Sequence, residues 1–165
     1  MKTLHIVGFK NSGKTTLISR WIRLAKKQGL SVAVLKHHGH ASPLEMPDRA
    51  NDSMQFLTSG ADVSAVAGGG AVQFHMNEEL DFRQMKKIAT IGNPDILLIE
   101  GYKEELGKKV VLIRSQTDWD ELKNLPNIQL VVEQNDTKSE FQQILARSDA
   151  EQLDSWFLNW LEEGE

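Results

Sequence analysis

A glycine-rich segment near the start of the chain carries the residue types that bind phosphate. Residues 8–15 read Gly-Phe-Lys-Asn-Ser-Gly-Lys-Thr and fit the pattern G-x-x-x-x-G-K-[ST] at every fixed position. In such a loop the glycines let backbone N–H groups converge on phosphate oxygens, the lysine reaches the β- and γ-phosphates, and the hydroxyl ligates Mg²⁺. The pattern therefore predicts a site for a nucleoside triphosphate and Mg²⁺.

The predicted phosphate contacts come from this loop and from the first turn of the helix that follows it. Lys14 is predicted to stabilise charge on the transferred phosphoryl group, and Thr15 to ligate the metal ion. The dipole of the helix that begins at Lys14 adds positive potential at the same place. The full set of predicted binding residues is Gly8, Asn11, Ser12, Gly13, Lys14, Thr15 and Thr16.

Acidic residues elsewhere in the chain are candidates for the second metal contact of such a site. Glu100 ends the apolar run 96–99, where an acid on a buried strand projects toward Mg²⁺ or its water shell, whereas Asp95 at the other end faces away. Asp48 and Asp52 follow the second strand in a polar segment that could position metal or water. We therefore predict metal contacts from Thr15, Glu100 and Asp48, with catalytic roles for Lys14, Asp48 and Glu100.

Three histidines, His37, His38 and His40, lie within one short loop. Imidazoles are good zinc ligands, but three in so short a loop cannot easily face one ion, and the chain has no cysteine to complete a site. We interpret these histidines as residues that line the mouth of the site or contact an anionic ligand. Structural zinc is not expected.

The elements around the loop must hold it at one edge of a sheet. An apolar run at 4–7, an amphipathic segment after Thr15 and a second apolar run at 32–35 form a βαβ unit, which implies a parallel sheet. A triple glycine at 68–70 between two β-rich runs predicts a hairpin. We predict one domain over residues 1–165 with an α/β, three-layer P-loop NTPase fold, a mostly parallel sheet and an inserted β-hairpin.

Further elements are predicted along the rest of the chain. Strands are predicted at 95–100, 110–113 and 128–132, and helices at 53–59, 82–89, 118–123, 139–147 and 150–161. The last helix carries Trp156, Phe157 and Trp160, which we interpret as core residues.

Composition limits the partners and the compartment. The chain of 165 residues has a net charge of −4 and a sequence pI of about 5.7, whereas nucleic-acid-binding domains usually have a pI above about 9. No apolar run approaches the roughly 18 residues that cross a bilayer, and no signal-peptide pattern is present. We expect a cytoplasmic protein that binds neither nucleic acid nor membrane.

The residues alone leave the base of the nucleotide undecided. GTPases with the familiar guanine-reading motif carry Asn-Lys-x-Asp after a strand, and the comparable segment here, 133–136, reads Glu-Gln-Asn-Asp. ATP and GTP are therefore both compatible with the motifs.

The combined motifs resemble the molybdopterin-guanine dinucleotide biosynthesis protein B (MobB) family of P-loop GTP-binding proteins. The resemblance extends through Arg114, and its most discriminating part is Glu-Gly-Tyr-Lys at 100–103, directly after a strand. The other matching segments are the glycine loop through Thr16, Lys36-His37-His38, the acidic segment 48–53 and Ser59-Gly60-Ala61.

This resemblance implies a GTP-binding protein that forms homodimers and has weak GTPase activity. Members assist the guanylyltransferase that attaches GMP to molybdopterin, forming the dinucleotide of the molybdenum cofactor, so molybdopterin is a possible further ligand. One departure is Phe9, which stands where many relatives in the wider class carry a lysine that acts across the dimer. Two alternatives stay open: a non-catalytic, nucleotide-dependent adapter for the guanylyltransferase, and a P-loop small-molecule kinase.

Overall fold

The computed structural model describes residues 1–39, 44–134 and 140–163, and the described chain divides into two compact units. The first contains Met1–Gly39 and Met85–Glu165, and the second contains His40–Gln84. Within the described residues, no helix has the length and apolar character required to span a bilayer. The predictions of a single domain and of a cytoplasmic location stay predictions.

The first unit is built on a six-stranded, wholly parallel sheet with the strand order β2-β5-β1-β6-β7-β8. Its strands are β1 (Lys2–Gly8), β2 (Val32–Lys36), β5 (Ile96–Glu100), β6 (Lys109–Ile113), β7 (Ile128–Glu133) and β8 (Ile144–Ala146). Its complete helices are α1 (Lys14–Lys27), α4 (Gln116–Leu122) and α5 (Ala150–Glu162), and α3 (Phe82–Ala89) contains the boundary between the units.

Alternating side chains of the central strands place one hydrophobic cluster on each face of this sheet. Leu4 and Ile6 pack with α1 and α5 on one face, where the Trp21 and Phe157 rings stack with centroids 4.7 Å apart. Val7 packs with α4 on the other face. The unit therefore has three layers, and the aromatic residues of α5 belong to its core, as predicted.

The second unit contains α2 (Asp52–Thr58) and a two-stranded antiparallel sheet of β3 (Val63–Gly68) and β4 (Ala71–Met76). Gly69 and Gly70 form the turn with φ of 57° and 81°, a left-handed conformation that glycine adopts at little cost. The predicted α/β class, mostly parallel sheet and hairpin are confirmed.

The helix predicted over 139–147 is wrong over 140–147, and Ser139 lies outside the described residues. Ile144–Ala146 instead form β8, which pairs in parallel with β7 through Val131↔Ile144 and the two following positions. Gln142, Gln143 and Leu145 are good helix formers, so local propensity favoured a helix. Hydrogen bonds to the edge of β7 decide the conformation of residues 144–146. The residues of β7 lie beyond the few neighbours in sequence on which local propensity depends.

A buried histidine and a buried lysine lie under the loop that joins β5 to β6. His5 on β1 is 1% exposed and lies beside Lys109, which is 0% exposed and pairs with it in register. The Lys109 ammonium donates to the carbonyl oxygens of Glu105 at 2.6 Å and Gly107 at 3.3 Å. A Cβ on Gly107 would lie 2.7 Å from the His5 ring, so the loop packs directly on this pair.

His5 makes stability depend on pH. Burial first, then the charges of Lys109 and Lys86, lower its pKa from 6.5 to about 4. The unfolded chain therefore binds more protons between these values, and stability is lost as the pH falls through this window. We expect wild-type protein to lose up to about 3 kcal/mol more than His5→Gln between about pH 6.5 and pH 4. Urea unfolding followed by tryptophan fluorescence measures this difference, and parallel pH profiles would contradict it.

Candidate functional site

The carboxyl ends of the parallel strands bring the candidate functional residues to one edge of the sheet. The glycine loop, residues 8–15, follows β1, and Glu100 ends β5 beside it. Ligands in open parallel sheets bind at this edge, because helix N-termini and loop backbones converge there. Further cations at the same edge are Lys36 at the end of β2, Arg114 after β6 and Arg147 after β8.

The glycine loop requires its two glycines for different reasons. At Gly8, with φ of 152°, a Cβ would lie 2.5 Å from the backbone oxygen of Leu112 on β6. At Gly13, with φ of 94°, it would lie 2.7 Å from Cζ of Arg147. The Ser12 hydroxyl is buried inside the loop and makes no hydrogen bond to a described residue. The loop is thus closely packed against β6 and Arg147, and side chains at these two positions would collide with them.

Lys14 lies at the first turn of α1 and is folded back on the loop. Its ammonium donates to the carbonyl oxygen of Phe9 at 2.7 Å. Burial lowers the pKa of Lys14, the Glu100 carboxylate opposes this shift, and the cations of Lys36 and Arg114 add to it. Positive charge is therefore concentrated around Lys14, which favours binding of an anion.

Thr15 and Glu100 meet although they are 85 residues apart in sequence. The Thr15 hydroxyl donates to Oε2 of Glu100 at 2.9 Å, and Lys36 Nζ lies 3.4 Å from Oε1 of the same carboxylate. Glu100 is only 8% exposed. The structure therefore brings together a hydroxyl and a buried carboxylate, both predicted from the sequence, and a lysine for which no role was predicted.

The remaining predicted residues have different positions. The His37 ring packs on the Tyr102 ring with centroids 4.7 Å apart, next to the Glu100 end of β5. His40 lies outside the described residues. Asp48 belongs to the second unit, where its Oδ1 accepts a hydrogen bond from the Ala50 N–H at 2.9 Å in a local turn. Its predicted catalytic and metal-binding roles stay predictions.

Arg114 supports the glycine loop from the neighbouring strand. Its Nη1 donates to the carbonyl oxygen of Lys10 at 2.9 Å. The other guanidinium nitrogens donate to the carboxylate of Asp118 on α4, Nε to Oδ2 at 2.8 Å and Nη2 to Oδ1 at 3.0 Å. These bonds to Arg114 hold the pKa of Asp118 below its usual range. Asp118 thus orients the arginine that holds the loop.

Replacing Asp118 by asparagine is expected to destabilise the protein by about 1–2 kcal/mol. The substitution removes the negative charge of the carboxylate, and the amide places a donor opposite the donors of Arg114. Chemical unfolding measures this effect. Asp120→Asn is the matched control, since Asp120 is exposed on the same helix and its carboxylate bonds only locally, to Lys123 and Gln116, among the described residues. Equal unfolding curves for both variants would contradict the role of Asp118.

The donor set fits a nucleoside triphosphate with Mg²⁺. Mg²⁺ prefers oxygen ligands and usually takes only one or two from the protein, the others being phosphates and water. The Thr15 hydroxyl and Glu100 carboxylate supply such oxygens, and the surrounding lysines suit phosphates. No group of three His, Cys, Asp or Glu residues that could enclose a metal occurs within residues 1–39, 44–134 and 140–163.

Three cations at this edge were not assigned to the site from the sequence. Lys36 ends the apolar strand β2 and Arg114 follows the buried strand β6, so the signal that identified Glu100, a charged residue at the carboxyl end of an apolar run, could also have identified them. Arg147 follows a strand that was predicted as a helix, and no local signal pointed to it.

Three comparisons with known proteins point to the same family. The family model described as molybdopterin guanine dinucleotide synthesis protein B, MobB, matches residues 3–154. A Bacillus subtilis protein, named a probable molybdopterin-guanine dinucleotide biosynthesis adapter protein, is 33% identical over 139 residues, covering 84% of this chain and 80% of the relative.

Solved structures support the same relationship. A MobB homolog from Bacillus stearothermophilus superposes with a TM-score of 0.80 at 30% identity, covering 98% of this chain and 99% of that one. The structure of Bacillus subtilis MobB also gives 0.80, at 29% identity and 100% coverage of both chains.

Proposed function

This chain belongs to the MobB family, as its motifs predicted, and we propose that it binds GTP with Mg²⁺ as an adapter in the synthesis of molybdopterin guanine dinucleotide. The observation that carries the nucleotide part is the meeting of Thr15 with the buried Glu100 beside Lys14. A nucleotide site needs a phosphate-binding loop beside an acid that can bind the metal ion, whereas a purely structural role requires neither.

Each residue has a defined task in this proposal. Backbone N–H groups of the glycine loop bind phosphate oxygens, and Lys14 exchanges the Phe9 carbonyl for the β- and γ-phosphates. Thr15 and Glu100 would hold Mg²⁺, which would supply charge that neutralises the phosphates. Lys36, which contacts Glu100, is free to turn to the γ-phosphate once the carboxylate faces the metal.

We expect hydrolysis to be slow. Phe9 occupies the position of the cross-dimer lysine, and Lys103 Nζ lies over the Phe9 ring, 5.9 Å from its centroid. Arg114, which follows β6, donates hydrogen bonds to the Asp118 carboxylate and to the carbonyl oxygen of Lys10 in the glycine loop. Arg114 is therefore held by these bonds and is not available to stabilise the transition state.

The second unit suggests how the protein forms a homodimer, which is part of this proposal. Val66, Val72 and Phe74 on the hairpin are 44%, 72% and 49% exposed. Among the described residues, β3 and β4 pair only with each other, and open strand edges invite pairing with another chain. Light scattering should give a dimer that Phe74→Glu weakens; a monomer at high concentration would exclude it.

The proposed function is tested by titrating GTP and ATP into the protein with Mg²⁺ and by adding the protein to a molybdopterin guanylyltransferase reaction. Tighter GTP binding, with faster dinucleotide formation, would support the proposal. Stimulation by Lys14→Ala equal to that by wild type would favour an adapter whose action does not require nucleotide. Nucleoside diphosphate released only with an added acceptor would instead favour a kinase.

A further inference from the structure

Arg147 lies directly on the glycine loop, although it follows the edge strand of the sheet. Its guanidinium fills the space that a side chain at Gly13 would need, with Cζ at 2.7 Å and Nε at 2.8 Å from the position of a Cβ there. Its Nη1 donates to Oε1 of Gln134 at 3.1 Å. A planar cation and a primary amide therefore lie together beside the loop.

The backbone holds this pair in place. The N–H of Arg147 donates to the carbonyl oxygen of Glu133 at 2.7 Å, and the N–H of Gln134 donates to that of Ile113 at 3.0 Å. Both residues thus leave the carboxyl ends of adjacent parallel strands, β8 and β7, in a defined register. The side chains are exposed, and the hydrogen bonds that Arg147 makes go to neutral groups.

The strand order places this pair on one side of the glycine loop and the metal-binding acid on the other. β5, which carries Glu100, is the neighbour of β1 on one side, whereas β6, β7 and β8 extend from its other side. The γ-phosphate and Mg²⁺ belong with Thr15 and Glu100. A nucleotide held by the loop must then direct its nucleoside away from Glu100, which is the side of Arg147 and Gln134.

We propose that Arg147 and Gln134 form the nucleoside end of the nucleotide site, with the Arg147 guanidinium stacking on a purine base and the Gln134 amide hydrogen-bonding its edge. This inference rests on the proposed nucleotide binding. A guanidinium plane stacks well on aromatic rings, which an ammonium cannot do. An amide offers both a donor and an acceptor, as recognition of a base edge requires.

The test separates contacts to the base from contacts to the phosphates by comparing GTP with inorganic tripolyphosphate, both titrated with Mg²⁺. Arg147→Ala should weaken GTP binding roughly tenfold, the usual scale of base stacking, and change tripolyphosphate binding less than about twofold. Arg147→Lys, which keeps the charge, should lose most of the same GTP affinity. Gln134→Ala should weaken GTP and leave tripolyphosphate unchanged. Arg23→Ala, an exposed arginine on α1, is the control and should bind both ligands normally.

The outcomes separate this inference from the proposed function. Equal weakening of GTP and tripolyphosphate by Arg147→Ala would assign the guanidinium to the phosphates and overturn the stacking role. Full GTP affinity in Arg147→Lys, or in Arg147→Ala, would also overturn it while leaving nucleotide binding intact. Wild-type protein that binds neither ligand would overturn the proposed function and this inference together.

Discussion

Replacing Lys14 by alanine is expected to lower the affinity for GTP by about a hundredfold or more. The ammonium is partly buried, and the Phe9 carbonyl oxygen at 2.7 Å is a weak substitute for phosphate. Hydrogen bonds to charged groups contribute about 1.5–3 kcal/mol each, so two bonds to phosphate oxygens account for a loss of this size. Calorimetric titration of GTP with Mg²⁺ measures the change.

The variant should stay folded, which separates loss of binding from loss of structure. Burial lowers the pKa of Lys14, so holding its charge in this position costs the ligand-free protein free energy, and its removal should not destabilise the fold. Lys10→Ala is the matched control, because Lys10 lies exposed in the same loop and carries the same charge. Equal GTP affinity in the Lys14 and Lys10 variants would rule out the predicted role.

Replacing Glu100 by glutamine is expected to remove the dependence of GTP binding on Mg²⁺. Glu100 accepts the Thr15 hydroxyl at 2.9 Å and lies 3.4 Å from the Lys36 ammonium, so it occupies the centre of the oxygen and charge cluster. A neutral amide is a much poorer ligand for Mg²⁺ than a carboxylate. We expect Mg²⁺ to strengthen GTP binding at least roughly tenfold in wild type and very little in the variant.

The same substitution should not weaken GTP binding measured without Mg²⁺, and this difference identifies a metal-binding role. Removing a negative charge near the phosphates should leave metal-free GTP binding unchanged or slightly stronger. Glu104→Gln is the control, since this acid lies exposed in the loop after β5 and should keep the full Mg²⁺ effect. If Glu100→Gln also kept the full Mg²⁺ effect, Glu100 would not be the metal-binding acid.

Local patterns in the sequence were sufficient for the glycine loop, the strands around it and Glu100. The loop is recognisable because each of its residue types has a separate physical task at a defined spacing. The strands β1, β5 and β6 are recognisable because a strand buried on both faces must be apolar along its length. Glu100 then stands out as a charge at the end of such a strand, and the contact with Thr15 follows from parallel pairing of β1 and β5.

Tertiary structure decided what the other cations at this edge contact. Lys36 contacts Glu100 because β2 pairs with β5, and Arg114 reaches Lys10 because β6 pairs with β1. Arg147 is the clearest case. Its segment has the local composition of a helix, and only pairing with the free edge of β7 turns it into a strand that ends beside Gly13. Propensity acts between neighbours in sequence, whereas strand pairing joins residues that are distant along the chain, so the residues at that end of the site emerge only from the fold.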